Sequence, residues 1–314
     1  MPQLRESINA TYRLSEGVRA YRDSPIYLQA LTESFKNAFA DRSRWLGDPA
    51  FVDVPVARLT SSEYAAELAK RFDLRKTLKP DEYGSVDEPG ADPRAALDDH
   101  GTSHLSVVDQ WGSAVACTET INLDFGSLVA VEKYGFVLNN EMDDFTTKRG
   151  TPNKFGLIQG DRNLPAPGKR PLSSMTPTIV LDDTGWVEVV AGASGGPRII
   201  TATTQAILNV LVFRDPPVPA VARARLHHQW MPDVLRMEPG LYDATGRRGA
   251  STVADEMRAL GHVVELPTSD AAVQMIVNGG GPGTRGGGWL TACDPRKGGK
   301  PAGVSAGFGT GNGE

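Results

Sequence analysis

The sequence predicts an α+β fold in which antiparallel sheet is covered by helices. Three observations carry this. Helical periodicity occupies the first part of the chain, and an acidic, proline-broken stretch follows. From Thr102 onward the apolar period becomes two, in hairpins mixed with helices. No internal repeat and no regular β–α–β succession is found. With 314 residues, 40% of them hydrophobic and 23% charged, the chain can bury a sizeable core.

Residues 24–45 read as a helix, with Ser24 as cap, Pro25 in the first position, and Leu28, Leu31, Phe35, Ala38 and Phe39 on one face. A second helix is expected from Thr60, where Thr60 and Glu63 form a capping-box pattern and Tyr64, Leu68 and Phe72 point inward. Residues 79–99 mix three prolines with seven acidic residues and read as a solvated linker. Strands are expected at 103–109 and 113–121 around the turn Asp109-Gln110-Trp111-Gly112, and again at 134–138. Residues 177–192 form a second hairpin pattern turning at Asp183-Thr184-Gly185. An apolar helix from Pro197 to about Phe213 follows, then shorter helices near 218–228 and 251–260 and strand patterns in "HVVEL" and "AVQMIV".

Composition excludes several classes. A net charge of -5 argues against nucleic acid as a main partner. Cys117 and Cys293 are the only cysteines, so neither a disulfide framework nor a CxxC metal site is expected. No run approaches a membrane span, and residues 1–14 lack the apolar core of a secretory signal. His227 and His228 are adjacent and no HExxH occurs, which favours packed or surface histidines over metal ligands.

Two stretches could carry chemistry. Gly192, Ser194 and Gly196 match G-x-S-x-G between a strand and a helix, which would make Ser194 a nucleophile with Asp233 or Asp243 and His262 as partners. Against this, the preceding strand looks like half of a hairpin, and the nucleophile elbow normally follows a parallel strand. The same glycines admit another use: Gly195 and Gly196 stand at a helix N-terminus, where backbone N–H groups can face an oxyanion. The second stretch is Gly101-Thr102, where the acidic linker ends. If the bond before Thr102 is cut, the new α-amino group, with a reference pKa of about 7.7–8.0, can serve the threonine hydroxyl as base. Gly101 would allow the strained backbone geometry of that cut. From these residues alone, a loop meeting a strand is the favoured account.

The segments "AFADRSRWLGDP", "GTSHLSVVD", "TETIN", "LNNEMDDF", "KRPLSSMTPTIV", "GASGGPRII", "RLHHQWMPDVLRME" and "CDPRKGGKPAG" occur in this order. Together they resemble the γ-glutamyltransferases (γ-glutamyl transpeptidases, glutathione hydrolases) over nearly the whole chain. The resemblance implies an N-terminal-nucleophile hydrolase with an αββα sandwich, made as a precursor that cleaves itself before a threonine. It implies a remnant of the large subunit over 1–101 and the small, catalytic subunit over 102–314, forming a heterodimer after processing. Gly101-Thr102 becomes the cleavage site and Thr102 the nucleophile, with Thr120 holding its α-amino group. Asn122, Glu141 and Asp144 would bind the amino and carboxylate ends of the γ-glutamyl group, and Ser173 and Ser174 its carboxylate. Gly195 and Gly196 would form the oxyanion hole, leaving Ser194 as a turn residue. The substrate would be glutathione or another γ-glutamyl compound, with water, an amino acid or a peptide as acceptor. No cofactor or metal is implied, and the compartment implied is periplasmic or extracellular. A related acylase, or a non-catalytic chain needing a complementary large-subunit polypeptide, stays open as an alternative.

Two departures are expected to matter. Phe155, in the lid-like stretch 149–160, stands where many bacterial members have tyrosine, so closure should be looser. The sandwich should also be incomplete, because family precursors are longer, and no arginine here matches the one that in the family pairs with the substrate's α-carboxylate.

Overall fold

The computed structural model describes residues 22–84, 101–242, 252–266, 271–281 and 288–303. Asp243 and residues 85–100 of the acidic stretch lie outside the described residues.

Helix α1 (Pro25–Trp45) starts as the sequence expects, with Ser24 Oγ accepting from Tyr27 N at 3.3 Å and Pro25 in the first turn. Leu28, Leu31, Phe35 and Phe39 are buried, but Ala38 is exposed. Gln29, Glu33, Lys36 and Arg42 are buried too, so the helix is enclosed on more than its apolar stripe. After the short α2 (Val56–Leu59), helix α3 (Ser62–Ala69) is capped by Ser61, which accepts from Tyr64 N at 3.1 Å. Thr60 is not the cap, because it closes the C-terminal end of α2 and its hydroxyl donates back to Val56 O. Tyr64 and Leu68 are only half-buried. The expected linker is packed at its start: α4 (Pro80–Tyr83) brings the Tyr83 hydroxyl onto Glu33, and Trp230 Nε1 donates to Pro80 O at 2.9 Å.

Strands β1 (Thr102–Val108) and β2 (Ala114–Thr120) form an antiparallel hairpin in which Thr102 lies opposite Thr120. Its turn is held by Asp109, whose carboxylate accepts from Trp111 N and Ser113 N, with Gly112 at φ 87°. The strand expected at 134–138 shortens to β4 (Phe136–Val137), paired with β3 (Ala130–Val131), because Tyr134 and Gly135 form the turn between them. Strand β5 (Thr178–Leu181) pairs with β6 (Val187–Ser194), and α5 (Arg198–Leu211) follows directly. Helix α6 stops early (Pro217–Ala222), since Leu226–His227 form strand β7 beside β8 (Leu235–Met237). Helices α7 (Pro239–Tyr242) and α8 (Val253–Ala259) lead to β9 (Val264–Glu265), β10 (Ala272–Asn278) and β11 (Trp289–Cys293). The sequence reading did not anticipate β11.

The main sheet runs β11-β10-β6-β5, all antiparallel. One face carries Val189, Ala191, Ala193, Val273, Met275 and Ala292 into a core with Ile199, Ala202 and Ala206 of α5 and Ala220 and Val221 of α6. The hairpin lies on the opposite face. There Gly192 allows close approach, because a Cβ on it would stand 2.3 Å from the His104 ring. Helix, sheet and hairpin thus form successive layers. A second core joins Leu28, Leu31 and Phe35 of α1 to Leu208, Leu226, Leu235, Met237 and Met257. No helix of the described residues is long and apolar enough to cross a membrane.

Four described histidines are buried or half-buried and held below their ordinary pKa. Burial lowers His104 to about 4 and His227 and His262 to about 3, and lowers His228 as well. The unfolded chain, with histidines near 6.5, binds more protons than the folded chain below that pH. Stability is therefore greatest above about pH 6.5 and falls as the pH drops towards 4. Glu33 and Asp41, whose pKa values burial raises, act in the opposite sense but are two groups against four. Urea unfolding midpoints should be lower at pH 5 than at pH 7.5, and equal or reversed midpoints would contradict this account.

Candidate active site

Antiparallel pairing sets Thr102 against Thr120 and buries it at 3% exposure. The Thr102 and Thr120 hydroxyl oxygens are 2.9 Å apart. Thr120 Oγ1 also donates to Gly101 O at 3.3 Å and accepts from Asn122 N at 2.8 Å. Ile121 N donates to Gly101 O at 3.1 Å. The carbonyl of the Gly101-Thr102 peptide is thereby polarised by two donors, with a threonine hydroxyl in the same hydrogen-bonded group. Gly101 is needed for space and not for its φ angle. A Cβ there would lie 2.4 Å from Leu123 O and 2.7 Å from Asn122 O.

Asn122 is buried at φ 72°, a conformation that asparagine tolerates better than most residues, and its Nδ2 donates to Asn140 O at 3.1 Å. Asn140 Oδ1 accepts from Leu123 N in return. These bonds tie the hairpin to the 3₁₀ turn Glu141–Asp144, where Glu141 N donates to Asn139 Oδ1. Asp144 is fixed through its carbonyl, which accepts from Gln159 Nε2 at 2.9 Å and Asn163 Nδ2 at 2.7 Å. Its carboxylate accepts from Asn153 Nδ2 at 3.4 Å.

Arg42, at the end of α1, reaches the same region. Nη1 donates to Gln159 Oε1 at 3.0 Å, and Nη2 donates to Leu172 O, Ser173 O and Ser174 Oγ at 3.1, 3.3 and 3.1 Å. Burial lowers its pKa to about 10, partly offset by the charge of Asp144, so the guanidinium stays charged at neutral pH. Asp48 holds the start of the same loop by accepting from Arg170 N, Nε and Nη2 at 2.7–3.1 Å, and these bonds keep its carboxyl far below the usual range. Ser173 Oγ accepts from Met175 N at 3.0 Å, while Ser174 is buried.

Gly195 and Gly196 occupy the junction of β6 and α5 at φ 137° and 56°, which a side chain would strain. Phe155 lies over Gly196, where a Cβ would stand 2.9 Å from its ring. The stretch 149–160 is held down by Asn153 Oδ1, which accepts from Phe155 N and Leu157 N, and by Gln229 Nε2, which donates to Phe155 O. Contrary to a loose closure, Phe155 is buried beside Phe39, Leu157 and Trp230, so packing replaces a phenolic bond.

Among the described residues the serine-hydrolase arrangement is not assembled. Ser194 ends β6, antiparallel between β5 and β10, and is a strand residue, not a turn residue. Its hydroxyl accepts from Lys297 Nζ at 3.3 Å. Asp233 instead pairs with Lys36 and His228, and His262 bonds Gln29.

The family model described as Gamma-glutamyltranspeptidase matches residues 8–304. The chain belongs to the γ-glutamyltranspeptidase family. It is 41% identical over 252 residues to the glutathione hydrolase proenzyme of Escherichia coli, covering 80% of this chain and 41% of that one. The chain thus spans about two fifths of that relative's length. The solved γ-glutamyltranspeptidase of Helicobacter pylori superposes with a TM-score of 0.56 at 42% identity, covering 62% of this chain and 99% of that chain. A cephalosporin acylase from Bacillus halodurans shares the fold, with a TM-score of 0.67 at 22% identity over 88% of this chain and 44% of its own. The α+β fold expected from the sequence is therefore the fold of γ-glutamyltranspeptidases, shared by that acylase.

Within this γ-glutamyltranspeptidase framework, the sequence reading missed Arg42, Asn153, Gln159 and Asn163, which place Asp144 and the Ser173–Ser174 loop. Arg42 had a signal: it continues the spacing Leu28, Leu31, Phe35, Phe39, a charged residue on a buried stripe. Replacing it with methionine leaves Gln159, Ser174 and two carbonyls without their charged donor, which should cost about 1.5–3 kcal/mol. Urea unfolding of Arg42→Met checks this. Arg42→Lys should recover only part of the loss, because an ammonium cannot reproduce the fork.

Proposed function

We propose that this chain carries the γ-glutamyl-transferring centre of a γ-glutamyltransferase or glutathione hydrolase, with Thr102 as the N-terminal nucleophile released by self-cleavage. The observation that carries the reading is the Thr102–Thr120–Gly101 group: a buried threonine hydroxyl beside a peptide carbonyl that already accepts two hydrogen bonds. In the first reaction Thr102 Oγ1 adds to the Gly101 carbonyl carbon. Negative charge develops on Gly101 O, where Ile121 N–H and the Thr120 hydroxyl donate. Collapse breaks the Gly101–Thr102 C–N bond, the nitrogen takes up a proton as the freed α-amine, and water hydrolyses the resulting ester to leave a Gly101 carboxylate. In this reading residues 1–101 belong to the large subunit and 102–314 to the small one.

In turnover the neutral α-amine accepts the hydroxyl proton as Thr102 Oγ1 attacks the γ-carbonyl of the donor. The γ-glutamyl ester forms, the departing amine leaves protonated, and water or an acceptor amine releases the product. Asp144 faces the donor's ammonium, Asn122 and Glu141 assist, Ser173 and Ser174 take its carboxylate, and Gly195 and Gly196 serve the oxyanion. The shared hydrogen-bonded scaffold of Asn140, Gln159 and Arg42 supports this grouping. The relatives named glutathione hydrolase support glutathione as donor.

Activity should also need a complementary chain. Among the described residues β1 pairs only with β2, and a cavity of about 1050 Å³ lies between β1 and the β10–β11 face, lined by Ser106, Gln274, Ile276, Trp289 and Thr291. An added strand or layer would fill it.

The protein, with its complementary chain where required, should yield a fragment beginning Thr-Ser-His-Leu, and Thr102→Ala should abolish both the cut and release of a chromogenic amine from a γ-glutamyl anilide. Normal turnover by Thr102→Ala would end the reading. Asp144→Ala should weaken donor binding by about 2–5 kcal/mol, and unchanged donor affinity would remove Asp144 from the site.

A further inference from the structure

The segment after β11 reaches back to the proposed nucleophile. Lys297 Nζ donates to Thr102 O at 2.6 Å and to Ser194 Oγ at 3.3 Å. The lysine does not arrive there as a loose side chain. Asp294, buried at 1% exposure, closes a main-chain loop with Val273: its N donates to Val273 O, and its carboxylate accepts from Val273 N, each at 3.0 Å. The same carboxylate accepts from Arg225 Nη1 at 2.8 Å and Arg296 Nη1 at 2.9 Å. Glu238 grips Arg296 and accepts from Arg225 N, completing a group of the buried Arg225, the half-buried Arg296 and two buried carboxylates. Lys297 is the next residue after this clamp, so its reach to β1 is set by a fixed backbone.

We propose that Lys297 is a positioning residue that fixes the Thr102 main chain and keeps its freed α-amino group neutral, and so proton-accepting, at neutral pH. The inference rests on Thr102 being the N-terminal nucleophile. The carbonyl oxygen and nitrogen of one residue are about 3 Å apart, so the ammonium stands within roughly 6 Å of the future α-amine. A like charge at that range disfavours protonation of the amine and lowers its pKa from the reference value of about 7.7–8.0. Thr120 holds the hydroxyl of Thr102 from the β2 side while Lys297 holds its carbonyl, so the residue is fixed at both ends.

The other charged groups lie on the elements packed around Thr102. On its own strand His104 is held near pKa 4 by burial and is neutral. On β2, Glu119 lies on the exposed outer face opposite Ser103. Arg296, Arg225, Asp294 and Glu238 neutralise one another within the clamp. The 141–144 turn contributes Glu141 and Asp144, with Arg42 behind Asp144. Asp144 is the group proposed to pair the donor's ammonium, leaving Lys297 as the cation in contact with Thr102.

The experiment measures the pKa of the Thr102 α-amine by competitive labelling with an amine-reactive reagent across pH. It uses the full 314-residue chain after cleavage, with the complementary chain if the cut requires it. Lys297→Met should raise that pKa by roughly one pH unit and move the acid limb of the kcat/KM profile upward by the same amount. Lys297→Arg, which keeps the charge, should titrate like the parent. An amine in Lys297→Met that titrates like the parent's overturns the proposal, as does Lys297→Arg behaving like Lys297→Met. If Lys297→Met is not cut, cleavage of Lys297→Arg supports the charge requirement, and failure of both overturns it. A parent chain that is never cut before Thr102 refutes the underlying nucleophile reading, a failure seen before any Lys297 variant is compared.

Discussion

The register of the β1–β2 hairpin is the constraint on which the site depends. Side chains alternate along a strand, so a slip of one residue would turn Thr102 outward and carry Leu105 and Val107 inward. Three local features hold the register. Asp109 and Gly112 fix the turn, the His104 ring sits on the bare backbone of Gly192, and Ile121 N–H closes the ladder on Gly101 O. The pairing that builds the sheet is therefore also what polarises the Gly101 carbonyl. Secondary structure and chemistry share the same hydrogen bonds, which explains why so small a hairpin has such close packing at its end.

The walls of the site come from elsewhere and are held by buried charge. Arg42 reaches from the end of α1 to the Ser173–Ser174 loop and, through Gln159, to the Asp144 carbonyl. Asp48, three residues beyond α1, anchors the same loop through Arg170. Burying an arginine is costly unless its donors are satisfied, and here four acceptors converge on it. One helix end thus sets the spacing between the two stretches proposed to hold the donor's ammonium and carboxylate.

Much of this was legible in the sequence where local rules act alone. The Ser24 cap, the Asp109 turn and the period-two alternation of β1 and β2 needed no tertiary information. The Thr60 cap missed by one residue because two hydroxyls stand side by side and Thr60 is the C-cap of α2, a choice made by the preceding turn. His227 and His228 read as helix, yet β7 forms because Leu226 and His227 find Met237 and Arg236 as cross-strand partners. Lys297 was invisible, and Arg42 showed only its place on a buried stripe, for a shared reason. A cation at a helix end, or in "PRKGGK", is normally solvated, and only distant residues show that these are not: Gln159 and Ser174 for one, Thr102 for the other.

The hairpin that carries Thr102 is covered on one face only among the described residues. Two strands alone are marginal in water, and the face of this pair that points away from the sheet leaves Leu105, Val107 and Val115 about half exposed. What holds it is one-sided: the contact of His104 with β6, the Asn122–Asn140 bonds and the Lys297 ammonium on Thr102. A layer over the outer face would bury those three side chains and restrict the same strand that positions the nucleophile. Assembly and catalytic geometry are then coupled, because any contact that orders β1 also orders the hydroxyl, the carbonyl and the future amine of Thr102. The position of the threonine at the start of the strand, and not in its middle, makes that coupling compatible with a cut: the peptide before it can be broken while the ladder from Ser103 to Val108 stays intact.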